Sequence, residues 1–126
     1  MSIRAMLFAV LTALLLSACA EMGANIFQPS NKQLVSGIKS YEEGDYQTAL
    51  ITIRKAQEMG LNDKHDQVIA FKYLAFIHCV SGQDKQCRDE FRKALALDPT
   101  FDLTPAEAGH PLWGPVFRGE KARYAH

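Results

Sequence analysis

The chain has 126 residues, with 14 Lys and Arg against 14 Asp and Glu, and carries no net formal charge at neutral pH. Its basic residues are scattered, which excludes the concentrated positive footprint that nucleic-acid binding requires. The length allows one modest domain.

Arg4 precedes an apolar run from Ala5 to Leu16 that only Thr12 interrupts. Such a run suits the core of a signal peptide and is well short of the roughly 20 residues that span a bilayer. It ends in Leu16-Ser17-Ala18-Cys19: a branched apolar residue, two small ones, then a cysteine. This resembles the lipobox of bacterial lipoproteins. The resemblance implies cleavage before Cys19, a diacylglycerol thioether on its sulfur and acylation of the new amino group. Each buried methylene of such chains contributes about 0.8 kcal/mol, so two or three chains anchor firmly. Ala20, where an aspartate would favour inner-membrane retention, implies the periplasmic face of the outer membrane.

Residues 1–18 then read as the signal peptide, and residues 19–30 as the lipidated cysteine with a flexible tether containing Gly23 and Pro29. The mature chain keeps 108 residues, and losing Arg4 leaves 13 basic side chains against 14 acidic ones. Export places it in an oxidising compartment. With Cys19 lipidated, Cys79 and Cys87 remain as a pair.

A helical pattern begins with Ser30 and Gln33 at capping-box spacing. Leu34, Gly37, Ile38 and Tyr41 line one face of the first helix, and Gly44-Asp45 ends it. Tyr46, Ala49, Leu50, Ile53 and Ala56 recur at steps of three and four, the spacing of a buried helical stripe. Gly60 closes that helix, and Leu61 to Asp66 reads as a polar link. The plan then repeats. Phe71, Leu74, Ala75 and His78 share a face, Ser81-Gly82 turns the chain, and Cys87, Phe91, Ala94 and Leu95 form the returning stripe. Asp98-Pro99 ends it, because proline cannot continue the helical ladder.

In the second pair, Phe71, Leu74, Ala75, Cys87, Phe91, Ala94 and Pro99 fall at the signature spacings of the tetratricopeptide repeat, which the chain resembles over residues 31–99. The first pair, about 31–61, matches through Gly37, Ala49, Ile53 and Ala56. It has Leu61 where the terminal proline belongs and lacks the large aromatic of the first helix. The second pair spans about 67–99. Equivalent positions such as Ala56 and Ala94 lie 38 residues apart, four more than the usual period of about 34. The extra residues are placed in Asn62 to Asp66. The implied fold is all-α: two such helix-turn-helix pairs, followed over residues 100–126 by a capping helix and an aromatic tail.

That C-terminal region opens on Thr104-Pro105-Ala106-Glu107, in which threonine caps, proline sits first and glutamate is third. Gly109 and Pro111 break the short helix, and Leu112, Trp113, Val116 and Phe117 follow. Repeat arrays need a cap over their last apolar face, and Trp113 and Phe117 suit that task. The alternative makes them part of a partner-binding surface. Tyr124 to His126 read as frayed.

Little else suggests chemistry. Cys79 and Cys87 each lie about one turn from the Ser81-Gly82 bend, so a hairpin brings them within reach of a disulfide, worth roughly 2 to 3 kcal/mol for so short a loop. The alternative is two buried thiols. His65, His78, His110 and His126 do not assemble into a metal site. No nucleophile elbow or phosphate loop occurs, and Glu42 and Glu43 point about 100° apart on a helix instead of converging. No catalytic residue, metal or cofactor is assigned.

The resemblance implies a protein-binding module whose concave face is lined by the first helix of each pair. Carried over by position, that face includes Gln33, Ser40, Lys72 and His78, with Asn31 or Lys32 nearby. The expected role is a membrane-anchored adaptor for protein partners in the bacterial envelope, as an accessory of a secretion or other envelope complex. The alternative is a peptidoglycan-associated lipoprotein, or regulator of a cell-wall enzyme, for which Trp113, Tyr41 and Tyr73 are the only aromatic candidates. Leftover apolar surface also leaves self-association open.

Overall fold

Polar punctuation sets the helix ends. The computed structural model describes residues 29–125. The leader, Cys19, the tether up to residue 28 and His126 lie outside them. Among the described residues the protein is all-helical, with six helices and no strand: α1 (Pro29–Glu42), α2 (Tyr46–Met59), α3 (Lys64–Val80), α4 (Asp84–Leu97), α5 (Pro105–Ala108) and α6 (Trp113–Tyr124). None of them is long and apolar enough to cross a membrane.

The helices pack as pairs, α1 with α2 and α3 with α4, in a repeat-like array. The two hairpin turns are copies. Gly44 N–H donates to Tyr41 O and Asp45 N–H to Ser40 O. Thirty-eight positions on, Gly82 N–H donates to Cys79 O and Gln83 N–H to His78 O. This paired bonding closes a helix through a left-handed residue, and Gly44 and Gly82 supply φ values of +80° and +75°. Asp45 then caps α2 by accepting from Thr48 N–H at 3.2 Å, and the Thr48 side chain, followed by this backbone bond, holds its carboxyl below the ordinary carboxylate range. Gln83, at the equivalent place, makes no cap bond and is used elsewhere.

Three boundaries differ from the sequence reading. Helix α1 already includes Pro29 and Ser30, because proline's fixed φ suits a first turn. The link after α2 is shorter than Leu61 to Asp66: Asp63 caps α3 by accepting from His65 N–H at 2.7 Å, so residues 64–66 form its first turn. Leu61 is buried, and Gln67 fixes the bend by donating to Leu61 O at 2.6 Å. The segment read as an aromatic tail is a 12-residue helix, α6. Gly114, Pro115 and Gly119 weaken its local helical signal, but Trp113, Phe117, Glu120 and Tyr124 recur at helical spacing along its inner face. Tyr124 is not frayed; its hydroxyl reaches Arg92 O at 3.4 Å.

The core has two parts. Leu34, Ala49, Ile53, Ala56, Leu61, Ala70, Leu74 and Ile77 pack between the hairpins. Ala75, Phe76, Cys79, Cys87, Phe91, Leu95, Leu103, Trp113 and Phe117 join the second hairpin to the C-terminal helices. Cys79 and Cys87 form a disulfide across α3 and α4, with Cα atoms 5.2 Å apart.

Small residues permit the closest approaches. A Cβ at Gly37 would lie 2.6 Å from Ile53 Cγ1 and 3.1 Å from its backbone nitrogen, whereas one at Gly119 would meet nothing within 4 Å. Gly37→Ala should therefore lower stability by about 1–3 kcal/mol through overpacking. Gly119→Ala should raise it by about 0.5–1 kcal/mol by restricting the unfolded chain. Urea unfolding of both variants checks the two signs.

Candidate partner-binding surface

Helix α3 decides what is exposed, because its side chains touch every other helix among the described residues. Lys72 is only 8% exposed. Its Nζ donates to Glu107 Oε2 at 2.8 Å and lies 4.8 Å from the centre of the Tyr73 ring. Glu107 is placed by the capping box of α5: its Oε1 accepts from Thr104 N–H at 3.0 Å, and its own N–H donates to Thr104 Oγ1 at 3.2 Å. The box foreseen from Thr104 and Glu107 thus forms, and its free oxygen takes up the buried lysine.

His78 faces other neighbours. Six residues beyond Lys72, it points about 120° away around the helix. Its Nδ1 lies 2.6 Å from Gln83 Oε1 and its Nε2 lies 3.4 Å from Arg54 Nη2. A consistent assignment has Nδ1–H donating to Gln83, leaving Nε2 to accept from the guanidinium. Arg54 also pairs with Glu90 at 3.1 Å. The expectation that Gln33, Ser40, Lys72 and His78 form one groove therefore needs correction. Lys72 is covered by α5, His78 is buried towards α2 and α4, and only Gln33 and Ser40 remain half-buried on α1. Ser40 Oγ bonds back to Ser36 O at 3.2 Å. Sequence position assigns a side chain to a helix face, but the covering by α5 comes from a segment some 35 residues away.

Trp113 and Phe117 take the capping place. Trp113 is 7% exposed and stacks on Phe76 at 4.1 Å between ring centres, with His110 on its other side at 3.4 Å. Its Nε1–H donates to Glu107 O at 2.7 Å. Phe117 meets Phe91 edge-on at 5.2 Å. Neither ring is free to meet a partner.

What stays open on the first helices of the two pairs is a tyrosine cluster. Tyr41 of α1 and Tyr73 of α3 meet edge-on at 5.1 Å, and Tyr46 lies 5.6 Å from Tyr41. Tyr41 and Tyr73 are half-buried, and no group among the described residues hydrogen-bonds their hydroxyls. Burial, then the neighbouring Tyr46, Tyr73 and Glu107, pushes the Tyr41 phenol up to about 12. Burial, Glu107 and Glu42 also raise Tyr73. Both stay neutral phenols, able to donate and accept a hydrogen bond while offering an apolar ring.

Two buried carboxylates were not foreseen. Glu90 sits on the inward stripe of α4 between Cys87 and Ala94, held by Arg54 and by Lys93 at 3.5 Å. Glu120 lies on the inner face of α6, with Arg92 at 3.5 Å and Arg88 and Arg123 each at 3.9 Å. Their helical spacing was readable, but acidic residues at core positions read as exposed unless their partners are known. Among the described residues, no group of three His, Cys, Asp or Glu could hold a metal ion.

Against known protein families, characterised proteins and solved structures, the chain gives no significant match.

The Lys72–Glu107 contact couples the cap to pH. Burial opposes ionisation of Glu107. The hydrogen bond from Lys72, the one from Thr104 N–H and the charge of Lys72 outweigh it and hold the carboxyl below its ordinary 4.5. Because the folded value is depressed, this contribution is present above the unfolded value and is lost as pH falls through the folded one. Fluorescence of Trp113, the only tryptophan, should change below about pH 4.5 as the cap loosens. Glu107→Gln should remove that acid limb, as a fluorescence titration of both proteins would show.

Proposed function

We propose that this chain is a membrane-anchored adaptor that binds protein partners in the bacterial envelope, as an accessory or assembly factor of a secretion or other envelope complex. The observation that carries this reading is the tyrosine cluster. Tyr41 and Tyr73 come from the first helices of the two pairs and stand side by side, half-buried, with hydroxyls that no group among the described residues hydrogen-bonds. Tyrosine offers large contact area at low entropic cost and anchors interfaces. In a tetratricopeptide-like array this is also the face that takes up a partner segment. Gln33 and Ser40 belong to the same helix as Tyr41 and extend the surface.

The Leu16-Ser17-Ala18-Cys19 motif supports lipid attachment at Cys19 and residence at the periplasmic face of the outer membrane. Two repeats make a small surface of modest affinity. Tethering to the membrane raises the local concentration and lets modest affinity suffice. The peptidoglycan reading is weaker than its sequence basis, because Trp113 is buried and the tyrosines alone remain to stack on sugars.

Two experiments test the proposal. In cells making the full-length protein, a photoreactive residue at Tyr73 should trap one discrete protein adduct that excess soluble domain competes away. Label transferred to peptidoglycan fragments alone would overturn the adaptor reading. Cys19→Ala should leave the domain folded but release it from the membrane fraction, and a variant still membrane-bound would overturn the anchor.

A further inference from the structure

On the side of α3 away from the tyrosines lies a cavity of about 470 Å³, open to solvent. Phe71, which lines it, and Tyr73 are two residues apart and so point about 160° apart. The volume falls within the range of small-ligand sites. Phe71 and buried Leu61 give it an apolar wall, while Arg54, Gln57 and Lys93 bring polar groups to it.

Its charge is unbalanced. Arg54 Nη2 and Lys93 Nζ converge on one oxygen, Oε1, of Glu90, whose side chain is 3% exposed. The second oxygen, Oε2, accepts no hydrogen bond. The two cations lining the cavity thus share one buried carboxylate, leaving an excess of one positive charge among these three groups. The cationic side chains are 43% and 53% exposed. A guanidinium has five donors and an ammonium three, so both retain donors facing outward. Lys93 Nζ also lies 5.8 Å from the centre of the Phe71 ring, placing charge beside the apolar wall. The Gln57 side chain makes no hydrogen bond among the described residues and supplies a free amide.

We propose that this cavity binds a carboxylate carried on an apolar group. One excess positive charge matches a monoanion better than a doubly charged phosphate. The planar fork of Arg54 suits the two oxygens of a carboxylate. Phe71 and Leu61 cover an aliphatic body of a few carbons, and Gln57 meets a neighbouring amide where the ligand has one. Two sources carry this chemistry, a free aliphatic acid and the carboxyl terminus of a peptide with an apolar last residue. The site lies apart from the tyrosine surface and stands whether or not that surface binds protein.

The test uses the isotope-labelled full chain in detergent micelles, followed by NMR. The probes are N-acetyl-L-leucine, its uncharged amide, and 4-methylpentanoate, which has the same carbon body without the acetamido group. Expected are saturable shifts at the backbone amides of Gln57, Gly60 and Phe71 with the acids, and binding weaker by about tenfold or more with the amide. Tighter binding of N-acetyl-L-leucine than of 4-methylpentanoate supports the site and assigns it to a peptide terminus. Equal binding supports it and assigns it to a free acid. Arg54→Gln should weaken binding of the acids by about tenfold. Because Arg54 also neutralises buried Glu90, the more exposed Lys93→Gln is the second variant, with a smaller loss in the same direction. Equal shifts from acid and amide, or no saturable shift from either acid at millimolar concentrations, would overturn the proposal.

Discussion

Two helical hairpins set side by side leave an apolar face at the end of the stack, and closing that face is the constraint on which the rest of the molecule depends. Here it is closed by Trp113 stacked on Phe76 at 4.1 Å, with Phe117 against Phe91. The cap is more than apolar cover. Trp113 donates to Glu107 O, Arg118 to Ala108 O at 3.1 Å, and Lys121 to Pro99 O at 3.0 Å. Side chains of α6 thereby take up carbonyls along the preceding segment, groups that would otherwise be left to solvent. A short helix of four residues, α5, can persist because its capping box bonds one end and Trp113 and Arg118 bond the other.

Pairing accounts for the unusual polar residues of the interior. A buried lysine or glutamate is tolerated only when paired, since removing one partner leaves an uncompensated charge and costs several kcal/mol (about 3–5). Lys72 is paired with Glu107 across the cap, Glu90 with Arg54 across the two hairpins, and Glu120 with arginines of α4. Each pair links elements that are separate in sequence. These contacts select one arrangement of the helices, because a slipped packing would bury the same charges unpaired.

The proposed binding roles rest on which faces of α3 remain after these demands are met. The Lys72 and Phe76 side is taken by the cap, the Leu74 and Ile77 side by the first hairpin, and the His78 side by Arg54 and Glu90. That leaves the edge carrying Tyr73, where Tyr41 joins it, and the opposite edge carrying Phe71, beside two cations. The first suits a protein segment that can use neutral phenols, and the second a small apolar acid. A two-repeat array with its end closed has room for both without either overlapping the other.

Much of the architecture was legible in the chain itself. The glycines at 44, 60 and 82, the stripe from Ala49 to Ala56 and the stripe from Cys87 to Leu95 mark helix ends and inward faces through rules that act within a few residues. The Thr104–Glu107 capping box is equally local. The pairing of Cys79 with Cys87 needed only a hairpin, although buried thiols fitted the same spacing. What the sequence left open depends on distant partners. Glycines and a proline hid α6, which is held by the apolar face it covers. Lys72 looked like a groove residue until α5 folded over it, and Glu90 and Glu120 were not singled out, because their burial depends on arginines from other positions. Local rules determine where helices start, stop and turn their apolar side. Only tertiary packing decided which polar side chains were paired and buried, because the free energy of a charge depends on neighbours that no short stretch of sequence contains.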